Sequence, residues 1–458
     1  MMSILLVLLG CTGSPPEAPA PPAPPPSVLL VVVDTVRADA LSAETTPALW
    51  QLSQLGVTYA DAHTSGTWSW PSHASMFWGL PPWEHGAHFD RDGVQWGSND
   101  PITVSMPRVD TDTLAERFRD AGYATALITA NPWLREGVGL DRGYGVVRYG
   151  RSDARVVEFV REGLAAGGDK PLFLTVNLMS AHAPFAAGEG CGWLTAHRAV
   201  LDGAELAPWR GEKGLTMTRG AGLHDLGAFA YARGELALSD AALAAFRAAY
   251  RCDVHEADAM LGQVLGAWAA AKRGGVIAVT SDHGELLGEH GQWEHGRGIW
   301  PELSHVPLVV AAPGRLPAGE RVDGTVLLHG IYGTLLELAG IGRPEDARLV
   351  PGVPRRVKAW SDGMWATHVG GRFAHDASLY ADDGWARVAW GQEEQFFDLR
   401  ADPTLDAPAV PPGDVAAALR AGASGAFEET TAPRLAPEID PETRSALEEM
   451  GYLEPKKP

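Results

Sequence analysis

Uninterrupted apolar runs, rather than alternating ones, mark the predicted strands of this chain. The run at residues 27–33 is rich in valine and leucine with no polar position after Ser27, which is typical of a strand buried on both faces of a parallel sheet. Similar short runs lie at 124–129, 171–178 and 276–280. Helical spacing of apolar residues is found at 46–56, 113–121 and 327–339. Strands that alternate with helices predict a doubly wound α/β sheet, in which ligands bind beyond the carboxyl ends of the strands.

The first 26 residues depart from this pattern and are excluded from the fold. A short apolar stretch ends in Gly10 and Cys11, which resembles the lipidation signal of bacterial lipoproteins, so we interpret residues 1–11 as a signal with Cys11 as the acylated residue. Residues 12–26 are mostly proline and alanine and predict an extended tether. The expected location is therefore outside the cytoplasm, lipid-anchored to a bacterial membrane on its periplasmic or cell-surface side. A cleaved signal peptide or a wrongly assigned start codon is the alternative.

The remaining chain divides into two predicted parts. Residues 27–355 carry the alternating strands and helices and form the predicted catalytic domain. Within it, about residues 186–236 are glycine-rich and irregular, which indicates an insertion over the site. Residues 356–458 consist of short mixed segments and predict a small C-terminal α+β subdomain.

Composition and charge narrow the classes of partner. The 458 residues are 45% hydrophobic, and 37 Lys and Arg against 57 Asp and Glu give a net charge of -20, which disfavours nucleic acid. No apolar run reaches the roughly 18 residues of a membrane-spanning helix, so only a lipid anchor would attach the chain to a membrane. The three cysteines are too few for a disulfide scaffold, although Cys191 and Cys252 could pair in an exported protein. No feature indicates an oligomeric state.

The residues after the first predicted strand are the first candidates for chemistry. Asp34 follows the strand directly, where a carboxylate is well placed to bind a cation. Aspartate is also a common turn or capping residue, so this position alone decides nothing. Arg37 either holds an anion or pairs with Asp39.

A second cluster surrounds Ser69. Pro71 and Gly79 predict the first position and the end of a helix, which places Ser69 just before the helix N-terminus. Unpaired N–H groups and the helix dipole favour negative charge there, so the position suits a nucleophile that faces a phosphate or a sulfate. The alternative is that Ser69 or Ser72 only caps the helix.

Two further clusters follow predicted strands. Asp282 and His283 come directly after the strand at 276–280, and a carboxylate beside an imidazole is a plausible half-site for a divalent metal. His295 lies a few residues later, and a surface loop would be the alternative explanation for these histidines. His182 follows the strand at 171–178, where a single histidine is usually a packed loop residue.

Taken together, the motifs resemble the sulfatase family within the alkaline-phosphatase superfamily over nearly the whole chain that follows the tether. In chain order they are Asp34-Thr35-x-Arg37-x-Asp39, Thr46-Pro47, Ser69-x-Pro71-Ser72, His85-Gly86, Gly122-Tyr123-x-Thr125, His182-x-Pro184, Ser281-Asp282-His283-Gly284-Glu285, His295, Val306-Pro307-Leu308, Phe397-Asp398-Leu399 and Gly451-Tyr452. The resemblance implies an alkaline-phosphatase-like fold, a doubly wound mixed sheet flanked by helices with a small C-terminal α+β subdomain.

The resemblance also implies roles for individual residues. One divalent metal would be coordinated by Asp34, Asp282 and His283 and reached by Ser69 as the nucleophile. His182 and His295 would hold the oxygens of the sulfuryl or phosphoryl group. The full implied sets are catalytic Ser69, His73, His182 and His295, and substrate-binding Arg37, His182 and His295. The substrate would be an anionic ester, either a small molecule or a glycan.

Three departures from the family pattern bear on the mechanism. Typical sulfatases carry Cys or sometimes Ser at the nucleophile position, converted to formylglycine, and an Arg four residues later; this chain has Ser69 and His73. Formylglycine at Ser69 stays open, and the missing Arg weakens it. Thr35 replaces the second of two consecutive aspartates, and Leu178 stands where a second metal would need Asp, so one metal is expected. Calcium is the first choice, with magnesium, manganese or zinc as alternatives.

Three functions from different classes follow. The first is a metal-dependent, lipid-anchored hydrolase of sulfate esters. The second is a phosphatase, phosphodiesterase or phosphoglycerol-transferase-like enzyme that uses an unmodified Ser69. The third is a non-catalytic binding lipoprotein on the same fold.

Overall fold

The computed structural model describes most of the chain beyond the tether. The described residues are 24–87, 107, 110–165, 168–185, 191–211, 214–217, 227–232, 234–296, 298–342, 349, 357–361, 367–369, 372–374, 377–382, 384–390, 393–423 and 440–449. The predicted lipidation site Cys11, most of the tether and the Gly451-Tyr452 motif lie outside these residues. None of the helices in the described part of the chain combines the length and the apolar character that crossing a bilayer requires.

Strands and helices alternate along the first part of the chain. The strands are β1 Val28–Val33, β2 Val57–Tyr59, β3 Ala62–His63, β4 Ala124–Thr129, β5 Val146–Tyr149, β6 Leu172–Leu178, β7 Arg210–Gly211, β8 Gly214–Leu215, β9 Val276–Thr280, β10 Leu286–Leu287, β11 Trp293–Glu294, β12 His305–Val306, β13 Leu308–Ala311, β14 Glu320–Val322, β15 Val326–Leu327, β16 Val357–Ser361, β17 Thr367–Val369, β18 Arg372–Ala374, β19 Ala377–Asp382, β20 Trp385–Trp390 and β21 Glu393–Asp398. The α-helices are α1 Pro47–Ser53, α2 Ser69–Trp78, α3 Pro82–His85, α4 Leu114–Asp120, α5 Asp153–Ala165, α6 Gly192–Thr195, α7 Arg198–Leu201, α8 Gly227–Ala232, α9 Asp240–Ala270, α10 Pro301–Ser304, α11 Ile331–Ala339, α12 Gly413–Ala423 and α13 Pro441–Glu449.

The central sheet has eight strands among the described residues, in the order β14-β2-β13-β9-β1-β6-β4-β5. The block from β9 to β5 is entirely parallel, whereas β13 runs antiparallel to both of its neighbours. Because β9, β1, β6 and β4 are adjacent and parallel, their carboxyl ends meet at one edge of the sheet. The predicted mixed sheet is therefore confirmed, and four neighbouring strands deliver side chains to one place.

Strand β1 shows why its sequence carries no polar alternation. Val28, Leu30 and Val32 pack into the core on one face of the sheet, together with residues of α2, α4 and α11. Leu29, Val31 and Val33 pack into the core on the other face, with residues of α1, α5 and α9. All six side chains are buried, and each contributes about 1.5–3 kcal/mol of hydrophobic stabilisation.

Helix ends follow the local sequence signals. Thr113 caps α4 with a capping box, since its hydroxyl accepts from the Glu116 N–H at 3.0 Å and Glu116 accepts from the Thr113 N–H at 2.9 Å. Gly340 ends α11 with a φ of 78°, a conformation that glycine adopts without steric cost. These ends agree with those predicted from the sequence.

The described part of the predicted insertion is held against α9. Leu194 of α6 and Leu201 of α7 pack into the same core as Ala245 and Ala249 of α9. Cys191 at the start of this segment forms a disulfide with Cys252 of α9, closing a separation of 61 residues. The possible pairing of these two cysteines is therefore realised.

The C-terminal part forms a second, antiparallel sheet in the order β16-β19-β20-β21. Ala386, Val388 and Phe397 of this sheet share a core with Leu286 and Trp300, which follow β9. The small predicted α+β subdomain is thus packed directly against the segment that follows the Asp282–His283 pair.

Candidate active site

Ser69 opens helix α2 at the carboxyl edge of the central sheet. The prediction that the helix begins at Pro71 is wrong by two residues: Trp68 is the extended capping residue and Ser69 is the first helical one. Pro71 is tolerated at the third position because the first N–H groups of a helix have no intrahelical acceptor. Ser69 is fully buried, and its Oγ donates to Oδ2 of Asp34 at 3.3 Å.

Three side chains that follow β1 and β9 can together hold a metal ion, and we call them the metal group: Asp34, Asp282 and His283. Asp34, Asp282 and His283 are fully buried, and one donor atom from each lies within 4.8 Å of the others. Nε2 of His283 is 3.4 Å from Oδ2 of Asp282 and 3.7 Å from Oδ1 of Asp34. Because β1 and β9 are hydrogen-bonded neighbours, residues that are almost 250 positions apart meet here.

These donor atoms fit a divalent cation. Oδ1 of Asp34, Oδ2 of Asp282 and Nε2 of His283 are buried with no hydrogen-bond partner among the described residues. Nδ1 of His283 donates to the carbonyl of Gly284 at 2.9 Å, which fixes the tautomer and leaves a lone pair on Nε2. Two carboxylate oxygens and one imidazole nitrogen suit manganese or zinc as well as the harder calcium and magnesium.

The electrostatics of the group also favour a cation. Burial, together with the charge of Asp282, raises the pKa of the Asp34 carboxyl well above its usual range. The His283 N–H donates to Oδ1 of Asp282 at 3.0 Å, which stabilises the charged form of that carboxyl. Burial lowers the pKa of His283, so its ring is neutral, as a ligand must be. A divalent ion would relieve the repulsion between the two buried carboxylates.

Asn131 is part of the site and was missed by the sequence analysis. Its Nδ2 donates to Oδ2 of Asp34 at 2.9 Å and to Oγ of Ser69 at 3.1 Å, while its Oδ1 accepts from the Trp133 N–H at 2.9 Å. Its position shortly after β4 was the available signal, because the other candidate residues were also identified by their positions after predicted strands. Asn131 orients the serine oxygen and the metal-binding carboxylate with a single amide group.

His182 and His295 lie close to His283. The ring centroids are 4.8 Å apart between His182 and His295, and 4.4 Å apart between His295 and His283. Nδ1 of His182 donates to the carbonyl of Ala183 at 2.6 Å, and burial, with some contribution from His295, lowers the pKa of His182 to about 3. His182 is therefore neutral near pH 7.

His295 differs from His182 because a carboxylate supports it. Its Nδ1 lies 3.1 Å from Oε1 of the fully buried Glu285. A carboxylate in this position orients a histidine ring and stabilises positive charge on it. Of these two histidines, His295 is the better placed to donate a proton.

His73 and Arg37 have different surroundings from one another. His73 lies in the second turn of α2, where its Nδ1 donates to the Ser69 carbonyl at 2.9 Å and lies 3.5 Å from Oδ2 of Asp282. It therefore contacts the backbone of Ser69 and the carboxylate of Asp282. Arg37 pairs with Asp39 at 2.8 Å and with Glu289 at 2.9 Å. Of the two roles left open for Arg37, the structure shows the ion pair.

The tryptophans near Ser69 belong to the core. Trp68, Trp70 and Trp133 are fully buried, and the ring centroids of Trp68 and Trp70 lie 5.8 Å and 5.6 Å from that of Trp133. They form a rigid apolar support behind the first turn of α2.

The fold is of the alkaline-phosphatase type, and its site combines three side chains that can hold a metal ion with an adjacent hydroxyl in the first turn of a helix. Residues 26–341 match the sulfatase family, and the chain belongs to it. Membership confirms the predicted class of enzyme, a sulfuric ester hydrolase, and the family is metal-dependent.

Alignments with three individual proteins cover most of the chain. A sulfatase from Formosa agariphila is 24% identical over 450 residues, covering 87% of this chain and 85% of the relative. Among solved structures, the phosphonate monoester hydrolase of Agrobacterium radiobacter aligns with a TM-score of 0.62 at 21% identity, covering 87% of this chain and 94% of the other. A structure crystallised with its substrate D-glucosamine-2-N,6-O-disulfate aligns with a TM-score of 0.59 at 17% identity, covering 83% and 92%. These structural similarities show the shared fold.

Proposed function

We propose that this chain is a metal-dependent hydrolase of sulfate esters in which position 69 carries the nucleophile. The observation that carries the proposal is the shared hydrogen bonding: Oδ2 of Asp34 and Nδ2 of Asn131 both contact the Ser69 oxygen, while Oδ1 of Asp34 points into the metal group. The bound cation would lower the pKa of the nucleophile and neutralise charge on the transferred group. In the sulfatase mechanism Ser69 would be oxidised to formylglycine by the host before turnover.

The side chains of the chain supply the remaining chemistry. Asn131 orients the oxygen at position 69 through its amide, and the first turn of α2 directs N–H groups towards an anion. His295, backed by Glu285, would donate a proton to the departing oxygen. His182 is neutral and lies next to His295, where it would accept a proton or position the ester.

A second candidate keeps the site and changes the transferred group. His73 stands where the family carries an arginine, and burial lowers the pKa of its ring, so this position supplies no fixed positive charge beside Ser69. That change favours an enzyme that transfers a phosphoryl or phosphonyl group through an unmodified Ser69. Both candidates place an anionic ester within reach of the same metal group.

A matched substrate panel tests the proposal. Purified protein, stripped of metal and reloaded with calcium, magnesium, manganese or zinc, would be assayed with para-nitrophenyl sulfate, para-nitrophenyl phenylphosphonate and bis-para-nitrophenyl phosphate. The sulfate should be the best substrate by kcat/KM, and Ser69→Ala should abolish its turnover. A marked preference for either phosphorus ester would select the second candidate. Failure of every ester with every metal would favour a non-catalytic binding protein.

We also propose that the chain is exported and anchored through Cys11. The support is the sequence around Cys11, the proline-rich tether and the Cys191–Cys252 disulfide, since such bonds form in oxidising compartments. Metabolic labelling with a fatty acid analogue should mark the wild-type protein in the membrane fraction. Cys11→Ser should lose the label, and retention of the label would contradict the assignment.

A further inference from the structure

Thr35, which directly follows a proposed metal ligand, has an unusual backbone. Its φ is 60°, in the left-handed region where a β-branched side chain is strongly disfavoured. A residue keeps such a conformation only when its surroundings hold it there, and such residues concentrate at functional sites. What holds Thr35 is therefore relevant to the neighbouring Asp34 carboxylate.

Tyr250 of α9 holds the turn from both sides. Its hydroxyl donates to the Thr35 carbonyl at 2.9 Å and accepts from the Arg37 N–H at 3.0 Å. Burial keeps the pKa of this hydroxyl well above its usual range, so it remains a donor. The ring of Phe185 packs edge-on against the ring of Tyr250, with 5.6 Å between the two centroids, and this contact restricts movement of the tyrosine ring.

The same turn connects the two strand ends that carry the metal group. The Thr35 N–H points to Oδ1 of Asp282 at 3.4 Å, and the Val36 N–H donates to Oγ of Ser281 at 2.9 Å. If Thr35 relaxed to a common backbone conformation, these N–H groups would rotate away and Asp34 would move relative to Asp282.

We propose that Tyr250 is a positioning residue for the metal centre: it holds Thr35 in the left-handed conformation and thereby keeps Asp34 within ligand distance of Asp282 and His283. The inference rests on the proposed metal site. It assigns a function to a side chain on α9 that lies outside every motif of the sequence.

Metal affinity of the apo protein tests the proposal without any substrate. Manganese alone would be titrated calorimetrically into wild type, Tyr250→Phe and the matched control Tyr144→Phe. Tyr144 is half-buried, and its hydroxyl likewise makes a hydrogen bond, with Oγ1 of Thr175 at 2.7 Å. Tyr250→Phe should bind manganese roughly tenfold more weakly and Tyr144→Phe within about twofold of wild type, because only the first loses a bond that fixes a ligand.

The variant Thr35→Gly provides an independent check. Glycine adopts positive φ without steric cost, so Tyr250→Phe should weaken binding much less in the Thr35→Gly background. If Tyr250→Phe alone does not fold, the double variant should fold and bind manganese. An equal loss in both backgrounds, or a Tyr250→Phe protein that binds as tightly as wild type, would overturn the positioning role. A wild-type protein that binds no metal would overturn the metal site as well.

Discussion

Replacement of Asn131 by aspartate should abolish most activity while preserving the local fold. The change keeps the volume and the Oδ1 acceptor that caps the Trp133 N–H. It removes the N–H donors that reach Asp34 at 2.9 Å and Ser69 at 3.1 Å. In their place it puts a second carboxylate against Asp34, so the repulsion within the metal group increases.

The size of the effect follows from the two lost bonds. A hydrogen bond to a charged acceptor contributes about 1.5–3 kcal/mol and one to a neutral hydroxyl about 0.5–1.5 kcal/mol. Their combined loss of about 2–4.5 kcal/mol corresponds to a decrease of roughly 30- to 2,000-fold in kcat/KM. The two bonds share one amide group, so the losses need not add fully.

Steady-state kinetics with the preferred aryl ester would measure this decrease, beside thermal unfolding of the same proteins. Asn131→Ala is the paired variant: it lacks the donors without adding charge, but it also leaves the Trp133 N–H without its acceptor. We expect both variants to lose activity and Asn131→Ala to lose more stability. If Asn131→Asp retained kcat/KM within about threefold of wild type, the amide would have no part in orienting Ser69.

Three further predictions concern stability and the role of Arg37. Replacing both Cys191 and Cys252 by serine should lower the free energy of unfolding by up to about 4 kcal/mol in urea titrations, given the 61-residue separation; an unchanged midpoint would refute this. Burial lowers the pKa of His329 to about 4, so the unfolded chain binds more protons than the folded one between about pH 4 and pH 6.5. The stability of the apo protein should therefore fall as pH decreases through that window, and His329→Gln should flatten the slope; identical slopes would contradict the assignment. Arg37→Gln should lower the melting temperature and leave KM within roughly twofold, because Asp39 and Glu289 already engage the guanidinium; a large rise in KM would instead support the substrate-binding role.

The central fold could be predicted because its signals are local. The unbroken run of β1 requires burial on two faces, and Thr113 with Glu116 defines a helix start within four residues. Polar residues directly after strands also identified Asp34 and the Asp282–His283 pair, since parallel neighbouring strands bring their ends together.

Other parts of the site depend on contacts that no local pattern encodes. Asn131 follows β4 just as the other candidates follow their strands, but its contacts with Ser69 and Asp34 were found only in the structure. Tyr250 lies on a helix more than 200 residues from the turn it holds. Of the two Arg37 partners, Asp39 was recognised as a possible one, whereas Glu289 was not, because it lies 252 positions away along the chain. The helix start at Ser69 was misjudged because Pro71 fits the third helical position as well as the first.

The mass of the peptide that carries Ser69, from protein produced in its native host, tests the central claim most directly. The sulfatase mechanism at this site predicts a peptide lighter by two hydrogens, because the serine has been oxidised to formylglycine. An intact serine would contradict that mechanism and move the assignment to phosphoryl or phosphonyl transfer through an unmodified Ser69.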